Sequence, residues 1–140
     1  MKVSELMATH IEFLEPDATV QDAAALMGEL DVGALPIGAA DDLKGVITDR
    51  DILYRVVAEG KDPRRTSALS VASKEVYSCR PEDELSVAMD VMAAQSVRRV
   101  PVLDDSRHVV GWLTISDLSR HLLVKSEVVQ TALHKLTDEV

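Results

Sequence analysis

The amino-acid sequence predicts an α+β fold made of two similar halves that pack against each other about a pseudo-twofold axis. The first observation is an internal repeat: at an offset of 65 residues, Pro16 aligns with Pro81 and Pro36 aligns with Pro101. The second is that each half carries one helix-spaced apolar stripe followed by short apolar runs. The third is composition, because a chain of 140 residues that is 46% hydrophobic and 3% aromatic predicts one compact unit with an aliphatic core.

Five elements are predicted in the first half, in the order strand, helix, strand, strand, helix. The helix has apolar residues three and four apart, whereas the strands are short apolar runs bounded by Pro, Gly or Asp. The predicted ranges are a strand at 11–14, a helix at 19–30, strands at 34–37 and 45–48, and a helix at 51–59.

The second half repeats this order after a polar linker at 60–63. The predicted ranges are a strand at 76–78, a helix from about residue 85, strands at 100–103 and 109–114, and a helix at 117–124. A further helix is expected at the C-terminus because Val129, Leu133 and Leu136 recur at helical spacing. The chain is thus divided into a first repeat with its linker at 1–65, a second repeat at 66–125 and a C-terminal helix at 126–140.

The charge of the chain argues against several classes of partner. Twenty-four acidic and 15 basic residues give a net charge of −9 at pH 7, and the pI is about 4.8. Nonspecific binding to nucleic acid or to an anionic membrane surface requires the opposite sign.

Cys79 is the only cysteine, and no apolar run approaches the ~20 residues that span a bilayer. We therefore expect a cytoplasmic protein.

One short motif occurs in both halves at equivalent positions. The spacing Gly-x-x-Thr-x-x-Asp is found in residues 45–51 and again in residues 111–117. One interpretation is a helix start, because a Thr followed three residues later by an acidic side chain resembles a capping box. The other is a ligand site: backbone N–H groups at a helix start attract phosphate, a Thr hydroxyl can donate to it, and an Asp carboxylate accepts from a diol. A nucleotide fits this second interpretation, and both stay open.

The doubled motif, together with the apolar-x-x-apolar-Pro segments at 32–36 and 97–101, resembles the cystathionine-β-synthase (CBS) domain. From about residue 3 to 124 the chain resembles tandem CBS repeats, a Bateman module, of the small stand-alone bacterial kind that includes the hypoxic response protein type. The resemblance implies a non-catalytic regulatory module without an obligatory cofactor. It would sense AMP, ADP, ATP, S-adenosylmethionine or another adenosyl ligand in the clefts between the repeats. It also implies a homodimer, and the protein that it would regulate is unknown.

The resemblance further implies which residues meet, because the Thr/Asp helix start of one repeat faces the strands of the other. One cleft is expected to join Thr114, Ser116 and Asp117 with Gly33, Ala34 and the region of Ala18 and Ala23. The other is expected to join Thr48, Arg50 and Asp51 with Arg98, Arg99 and the region of Asp83 and Ala88. In each cleft the Asp would hold the ribose and the Thr the phosphate, with adenine on the backbone of the facing strand. The cleft with the two arginines carries more positive charge and is expected to favour a polyphosphate.

Other interpretations of the same residues remain. Arg98 and Arg99 are equally well explained as surface residues in weak ion pairs, although Arg is the preferred bidentate partner of phosphate. A structural protein that dimerises and docks a partner without binding nucleotide is the main alternative function. Single-stranded nucleic-acid binding is a third, disfavoured by the acidic pI. No pattern places a nucleophile beside a general base, and the four histidines lack metal-ligand spacing, so we expect neither an enzyme nor a metal site.

Overall fold

The computed structural model describes residues 1–138, and the two halves of the sequence form two similar sets of helices and strands. In chain order the elements are α1 (Val20–Leu30), β1 (Ala34–Ala39), β2 (Asp42–Thr48), α2 (Asp49–Ile52), α3 (Ala68–Val71), α4 (Leu85–Gln95), β3 (Arg99–Leu103), β4 (Val109–Thr114), α5 (Ile115–Lys125) and α6 (Glu127–Asp138). A 3-10 turn at Val3–Glu5 precedes them, and a π-helical turn at Leu53–Val57 continues α2. The α+β class with two repeats is confirmed.

Each half contains one two-stranded antiparallel sheet. In the first, β1 pairs with β2 so that Ala34 lies opposite Thr48. In the second, β3 pairs with β4 so that Arg99 lies opposite Thr114. In each hairpin the last residue of the second strand, which directly precedes a helix, therefore lies opposite the first residue of the first strand. The candidate site is at this end of the two sheets.

The strands predicted at 11–14 and 76–78 are wrong. In the first case one isolated parallel bridge joins Leu14 to Ile37. In the second, the isolated parallel bridge joins Cys79, one residue beyond the predicted range, to Val102. The reason is a proline in the neighbouring strand, Pro36 in β1 and Pro101 in β3. The carbonyl oxygen of each proline accepts a hydrogen bond from the bridging residue, Leu14 or Cys79, but the proline has no N–H with which to continue the ladder.

The helices after the two motifs begin two residues earlier than predicted. The helix expected at 51–59 begins at Asp49 and changes to the π-helical turn after Ile52. The helix expected at 117–124 begins at Ile115. In both cases the first helical residue directly follows the motif threonine, because that threonine is the N-cap.

The predicted C-terminal helix is found as α6, which packs against α5. Leu133 and Leu136 of its apolar stripe are 50% and 63% exposed. The side chain of Val129 and the last two residues of the predicted range lie outside the described residues. No helix within residues 1–138 combines the length and the apolarity that crossing a membrane would require.

Each of the two cores is completed by a segment from the other half of the sequence. The core of the first repeat includes Ala68 and Val71 of α3, and that of the second includes Val3 from the N-terminal turn. Backbone hydrogen bonds fasten these crossing segments: the N–H of Ala68 donates to the carbonyl of Ala18 at 2.9 Å, and the N–H of Val3 donates to that of Asp83 at 2.8 Å. The two halves are therefore intertwined, and the structural cores do not follow the boundaries of the sequence repeat.

The glycine of each motif allows a crossing segment to approach. A Cβ added to Gly111 would overlap the Sδ atom of Met7 and lie 3.1 Å from its Cβ. A Cβ added to Gly45 would lie 2.9 Å from the carbonyl oxygen of Ser73, which belongs to the other crossing segment. These distances are shorter than van der Waals contact allows, so the glycine has a packing role.

Candidate functional site

The threonine and aspartate of each motif form the same pair of reciprocal hydrogen bonds. At α2, Asp51 N–H donates to Thr48 Oγ1 at 3.1 Å, and Thr48 N–H donates to Asp51 Oδ2 at 2.9 Å. At α5 the corresponding bonds of Thr114 and Asp117 measure 3.1 and 3.2 Å. The capping-box interpretation is therefore correct. It uses one carboxylate oxygen, Oδ2, and leaves Oδ1 and the hydroxyl hydrogen for other partners.

A first cleft, with a volume of about 520 Å³, lies between the start of α5 and the start of β1. Of the residues predicted for it, the cleft brings together Thr114, Ser116, Asp117, Gly33 and Ala34. The N-terminal connection forms a further wall through Ala8 and residues 10–12. The cleft is thus formed by parts of both repeats.

A second cleft, with a volume of about 950 Å³, lies between the start of α2 and the start of β3. The predicted residues that it brings together are Thr48, Arg50, Asp51, Arg98 and Arg99. The segment at 72–77 forms the wall that corresponds to the N-terminal connection in the first cleft. Both volumes lie in the range of small-molecule sites, roughly 300–1,000 Å³.

The structure does not bring Ala18, or the neighbouring positions expected at the cleft edges, into these two clefts. Ala18, Ala23 and Ala88 are buried in the cores, and Asp83 lies outside both linings. The reason is that the crossing segments cover this part of each repeat: the carbonyl of Ala18 accepts its hydrogen bond from α3.

Helix α1 shows that the capping pattern alone does not make a cleft. Thr19 and Asp22 form the same reciprocal bonds, at 3.2 and 3.0 Å. Neither residue lines the first or the second cleft. The motif pairs at 48–51 and 114–117 therefore differ from this one in location and not in local geometry.

Three of the lining residues that were not identified from the sequence as part of a site are a tryptophan and two arginines. Trp112, the only tryptophan of the chain, is half-buried and lines both clefts. Arg120 lines the first cleft and Arg55 the second. These arginines follow Asp117 and Asp51 by three and four residues, so helical spacing gave a signal that could have found them.

The two arginines hold the free carboxylate oxygens differently. Arg120 Nη2 donates to Asp117 Oδ1 at 2.7 Å. Arg55 Nε stays 3.9 Å from Asp51 Oδ1, which is beyond hydrogen-bond distance, while its Nη1 donates to the carbonyl of Val71 at 3.0 Å. Asp51 Oδ1 is therefore more available to a ligand than Asp117 Oδ1.

The two clefts also differ in charge. Among the described residues, five Arg or Lys and three Asp or Glu line the second cleft, a formal charge of +2. Three Arg and three Asp or Glu line the first, a formal charge of 0 with histidine neutral. The second cleft is thus a locally positive region on a chain of net charge −9, and clefts of one sign concentrate ligands of the opposite sign.

Arg99 reaches from β3 to the first repeat. A Cβ added to Gly33 would lie 3.4 Å from Arg99 Nη1 and 3.0 Å from Asp49 Oδ2, so the guanidinium lies near that carboxylate. Burial lowers the pKa of Arg99, Asp49 opposes this lowering, and Arg98 adds to it. In the described part of the chain, Arg99 Nη1 is buried without a hydrogen-bond partner.

Sequence comparison places both halves in one family. The CBS domain family matches residues 3–58 and again residues 68–124. The chain is 38% identical over 117 residues to CBS domain-containing protein YhcV of Bacillus subtilis, covering 84% of this chain and 82% of that protein. It is 37% identical over 119 residues to Hypoxic response protein 1 of Mycobacterium tuberculosis, with the same shares covered.

Solved structures share the fold. A crystal structure of Hypoxic Response Protein I with two coordinated zinc ions has a TM-score of 0.75 at 34% identity, covering 86% of this chain and 98% of that one. A hexameric CBS-CP12 protein from bloom-forming cyanobacteria has a TM-score of 0.75 at 28% identity, covering 93% and 73%. The zinc ions are part of the first of these structures. Within residues 1–138 of this chain, no three His, Cys, Asp or Glu side chains are grouped to hold a metal ion. Pairs of CBS domains are typically regulatory and non-catalytic, and this chain belongs to the CBS domain family as one such pair.

Proposed function

We propose that the chain is a non-catalytic ligand sensor that binds an adenine nucleotide or another adenosyl compound in the clefts between its two CBS domains. The observation that supports this best is that each Thr/Asp helix start meets the first strand residues of the other domain at a cleft of nucleotide size. A ligand in such a cleft contacts both domains. It therefore favours the arrangement of the pair to which it binds more tightly, and this population shift is the signal.

In each cleft we assign the ribose to the aspartate and the phosphate to the threonine. Asp51 Oδ1 and Asp117 Oδ1 are the carboxylate oxygens that the helix caps do not use, and a carboxylate accepts hydrogen bonds from both hydroxyls of a ribose. The hydroxyls of Thr48 and Thr114 already accept from the backbone, so each keeps its hydrogen to donate to a phosphate oxygen. Adenine would lie against the backbone of the facing strand.

The second cleft is the better candidate for a polyphosphate such as ADP or ATP. It is the larger of the two clefts and has a formal charge of +2. Arg50 and Lys74 supply cations that the first cleft lacks. Asp51 Oδ1 lies 3.9 Å from Arg55 Nε, beyond hydrogen-bond distance, whereas Asp117 Oδ1 accepts from Arg120 and would have to share or release it. The first cleft suits a ligand with fewer phosphates, such as AMP or S-adenosylmethionine.

The proposal includes a homodimer in the cytoplasm. Leu53, Tyr54 and Val57, in the turn after α2, are 52%, 58% and 65% exposed. Leu122 and Leu123 of the equivalent helix α5 are 58% and 46% exposed. Apolar rows on two equivalent helices favour self-association, and the hexameric relative is an example of assembly in this fold. The lone cysteine is compatible with a reducing compartment.

A second candidate is an interaction protein whose clefts stay empty of nucleotide. One observation favours it: Arg120 already donates to Asp117 Oδ1 at 2.7 Å, so that the capping box and this ion pair together engage both carboxylate oxygens. In that case the exposed helices would dock a partner, and no adenosyl compound would change the stability of the protein.

Thermal melting with a panel of ligands separates these candidates. The panel is AMP, ADP, ATP, S-adenosylmethionine, NAD and an RNA oligonucleotide, with GTP as a control for the base. A ligand at a hundred times its Kd adds about 2.7 kcal/mol to the free energy of unfolding, which raises Tm by several degrees in a chain of this size. A shift with adenosyl compounds and not with GTP supports the sensor. A flat panel supports the interaction protein, and a salt-sensitive shift with RNA supports nucleic-acid binding.

The site assignment is tested by Asp51→Ala and Asp117→Ala, with Asp22→Ala as the matched control. Each variant loses one capping bond, so each is expected to lower the free energy of unfolding by about 1 kcal/mol. Only the first two are expected to lose the ligand-induced shift, each in one cleft, because Asp22 lines neither. Unchanged affinity in the Asp51→Ala/Asp117→Ala double variant would reject the assignment.

A further inference from the structure

The two clefts share a wall. Arg98, Arg99 and Trp112 line both of them. At the repeat offset of 65 residues, Gly33 and Ala34 stand in the first half where the second half has the two arginines. The pseudo-twofold symmetry is therefore broken where the clefts adjoin, and two cations that belong to one repeat face both ligand sites.

Of these two arginines, Arg99 is the more buried in the shared wall. Arg98 is exposed, whereas Arg99 is half-buried, and its Nη1 atom and the Asp49 carboxylate both lie close to Gly33. Burial lowers the pKa of Arg99, but a guanidinium stays protonated in proteins. Within residues 1–138, its Nη1 atom is buried and has no hydrogen-bond acceptor. Because a buried donor without an acceptor carries a free-energy cost, a ligand that supplies an acceptor to Nη1 would be stabilised by removing that cost.

We propose that Arg99 is a phosphate-binding donor shared by the two clefts, so that one chain binds one polyphosphate ligand tightly and a second only weakly. This inference rests on the proposed function, because it concerns the same clefts. One guanidinium has a fixed fork of donors and cannot turn that fork toward both clefts at once. A polyphosphate in the second cleft engages Arg99 there, and the first cleft, whose formal charge is 0 with Arg99 counted, is left short of one cation.

The coupling depends on phosphate and not on the adenosyl group. Adenosine has no anion for Arg99 to bind, so it is expected to fill the two clefts independently. ATP is expected to fill the second cleft first, because that cleft carries the charge of +2. The ligand class that the shared arginine selects is therefore a nucleoside polyphosphate, at one tight equivalent per chain.

The test measures ATP and adenosine binding to the full chain by calorimetry, with the fluorescence of Trp112 as a second readout in both clefts. In Asp51→Ala the second cleft is disabled. The first cleft of this variant is expected to bind ATP about tenfold more tightly than the weak step of the unmodified chain, the size of one charge-assisted hydrogen bond. For adenosine, the affinity of the first cleft is expected to be the same in both proteins.

The role of the side chain itself is tested with Arg99→Gln. This change is expected to weaken ATP binding in the Asp51→Ala background and in the Asp117→Ala background alike. It is also expected to remove the coupling, so that the weak ATP step of Arg99→Gln equals the ATP affinity of Asp51→Ala/Arg99→Gln. The matched controls line one cleft each: Arg120→Gln is expected to change ATP binding only in the first and Arg50→Gln to weaken it only in the second.

Three results would overturn the inference. If the weak ATP step of the unmodified chain equals the affinity of Asp51→Ala, or if Arg99→Gln weakens only one cleft, the donor is not shared although the proposed function stands. If neither ATP nor adenosine binds to the unmodified chain, both proposals fail together.

Discussion

The close approach of the N-terminal segment to β4 leads to a sharp prediction for Gly111→Ala. The segment is held by the bonds between Ala8 and Trp112, which donate to each other at 2.9 Å in both directions. A Cβ on Gly111 would overlap Met7 Sδ, lie 2.8 Å from its Cγ and lie 3.1 Å from its Cβ. The sulfur is the end of a flexible side chain and can rotate away, but the Cβ can move only with the backbone. We therefore expect a loss near the lower end of overpacking costs, about 1–2 kcal/mol.

The assay is urea unfolding followed through Trp112, which lies directly beside the substituted residue. A loss of this size corresponds to a fall in Tm of roughly 3–6 °C for a chain of this length. In the Met7→Gly background the Sδ, Cγ and Cβ contacts are all absent, so most of the penalty of Gly111→Ala, measured against Met7→Gly alone, is expected to disappear. Gly28→Ala is the matched control: nothing lies within 4 Å of its added Cβ, and in a helix interior the change is expected to stabilise by up to about 1 kcal/mol. The reasoning would be refuted by a Gly111→Ala protein as stable as the unmodified chain, or by a penalty of the same size in the Met7→Gly background.

Two further predictions concern a buried thiol and an exposed face. Burial raises the pKa of the Cys79 thiol to about 11 from 9.0, with Asp83 adding to the effect, so its contribution to stability is complete below pH 9 and is lost as the pH rises toward 11. The free energy of unfolding is therefore expected to fall by up to about 2 kcal/mol more over that range than in Cys79→Ala, and equal pH profiles would show that the thiol contributes nothing. For the exposed face, the Val57→Glu/Leu123→Glu variant is expected to sediment as a monomer, because both side chains belong to the apolar rows of the proposed dimer. Val128→Glu on α6, 80% exposed, should leave a dimer, and a dimeric double variant would place the interface elsewhere.

The sequence predicts the helices and the hairpin strands because apolar spacing is a local property. The stripe from Val20 to Leu30 forms α1, and the apolar runs around Pro36 and Pro101 form the first strand of each hairpin. The segment at 11–14 has the same apolar character, but whether it forms a strand depends on donors in a neighbouring strand that is distant in sequence. Pro36 lacks that donor, and apolar spacing contains no information about it.

The candidate site could be predicted in its centre and not at its edges. Thr48 and Asp51 meet Arg99 at one cleft, as the resemblance implies, because both follow from the helix start and the hairpin register. Ala18 was expected beside the other cleft and is covered instead by α3. That crossing is a tertiary event. The only local feature of the sequence that relates to this crossing is Gly45 of the motif. A glycine allows another segment to approach closely, but it does not show which segment does so.

The two interpretations of the motif are compatible with each other, since each residue performs a structural task that also shapes the cleft. Gly45 and Gly111 admit the crossing segments, and those segments become one wall of each cleft. The threonine and the aspartate cap a helix start that the hairpin register holds beside the shared wall. The cap uses one oxygen of the aspartate and fixes the direction of the other. In α1 the same cap, formed by Thr19 and Asp22, lies away from that wall. If the proposed function holds, ligand binding is lost when the capping aspartate beside the shared wall is replaced and is kept when the capping aspartate of α1 is replaced. That result would separate ligand recognition from helix capping in this chain.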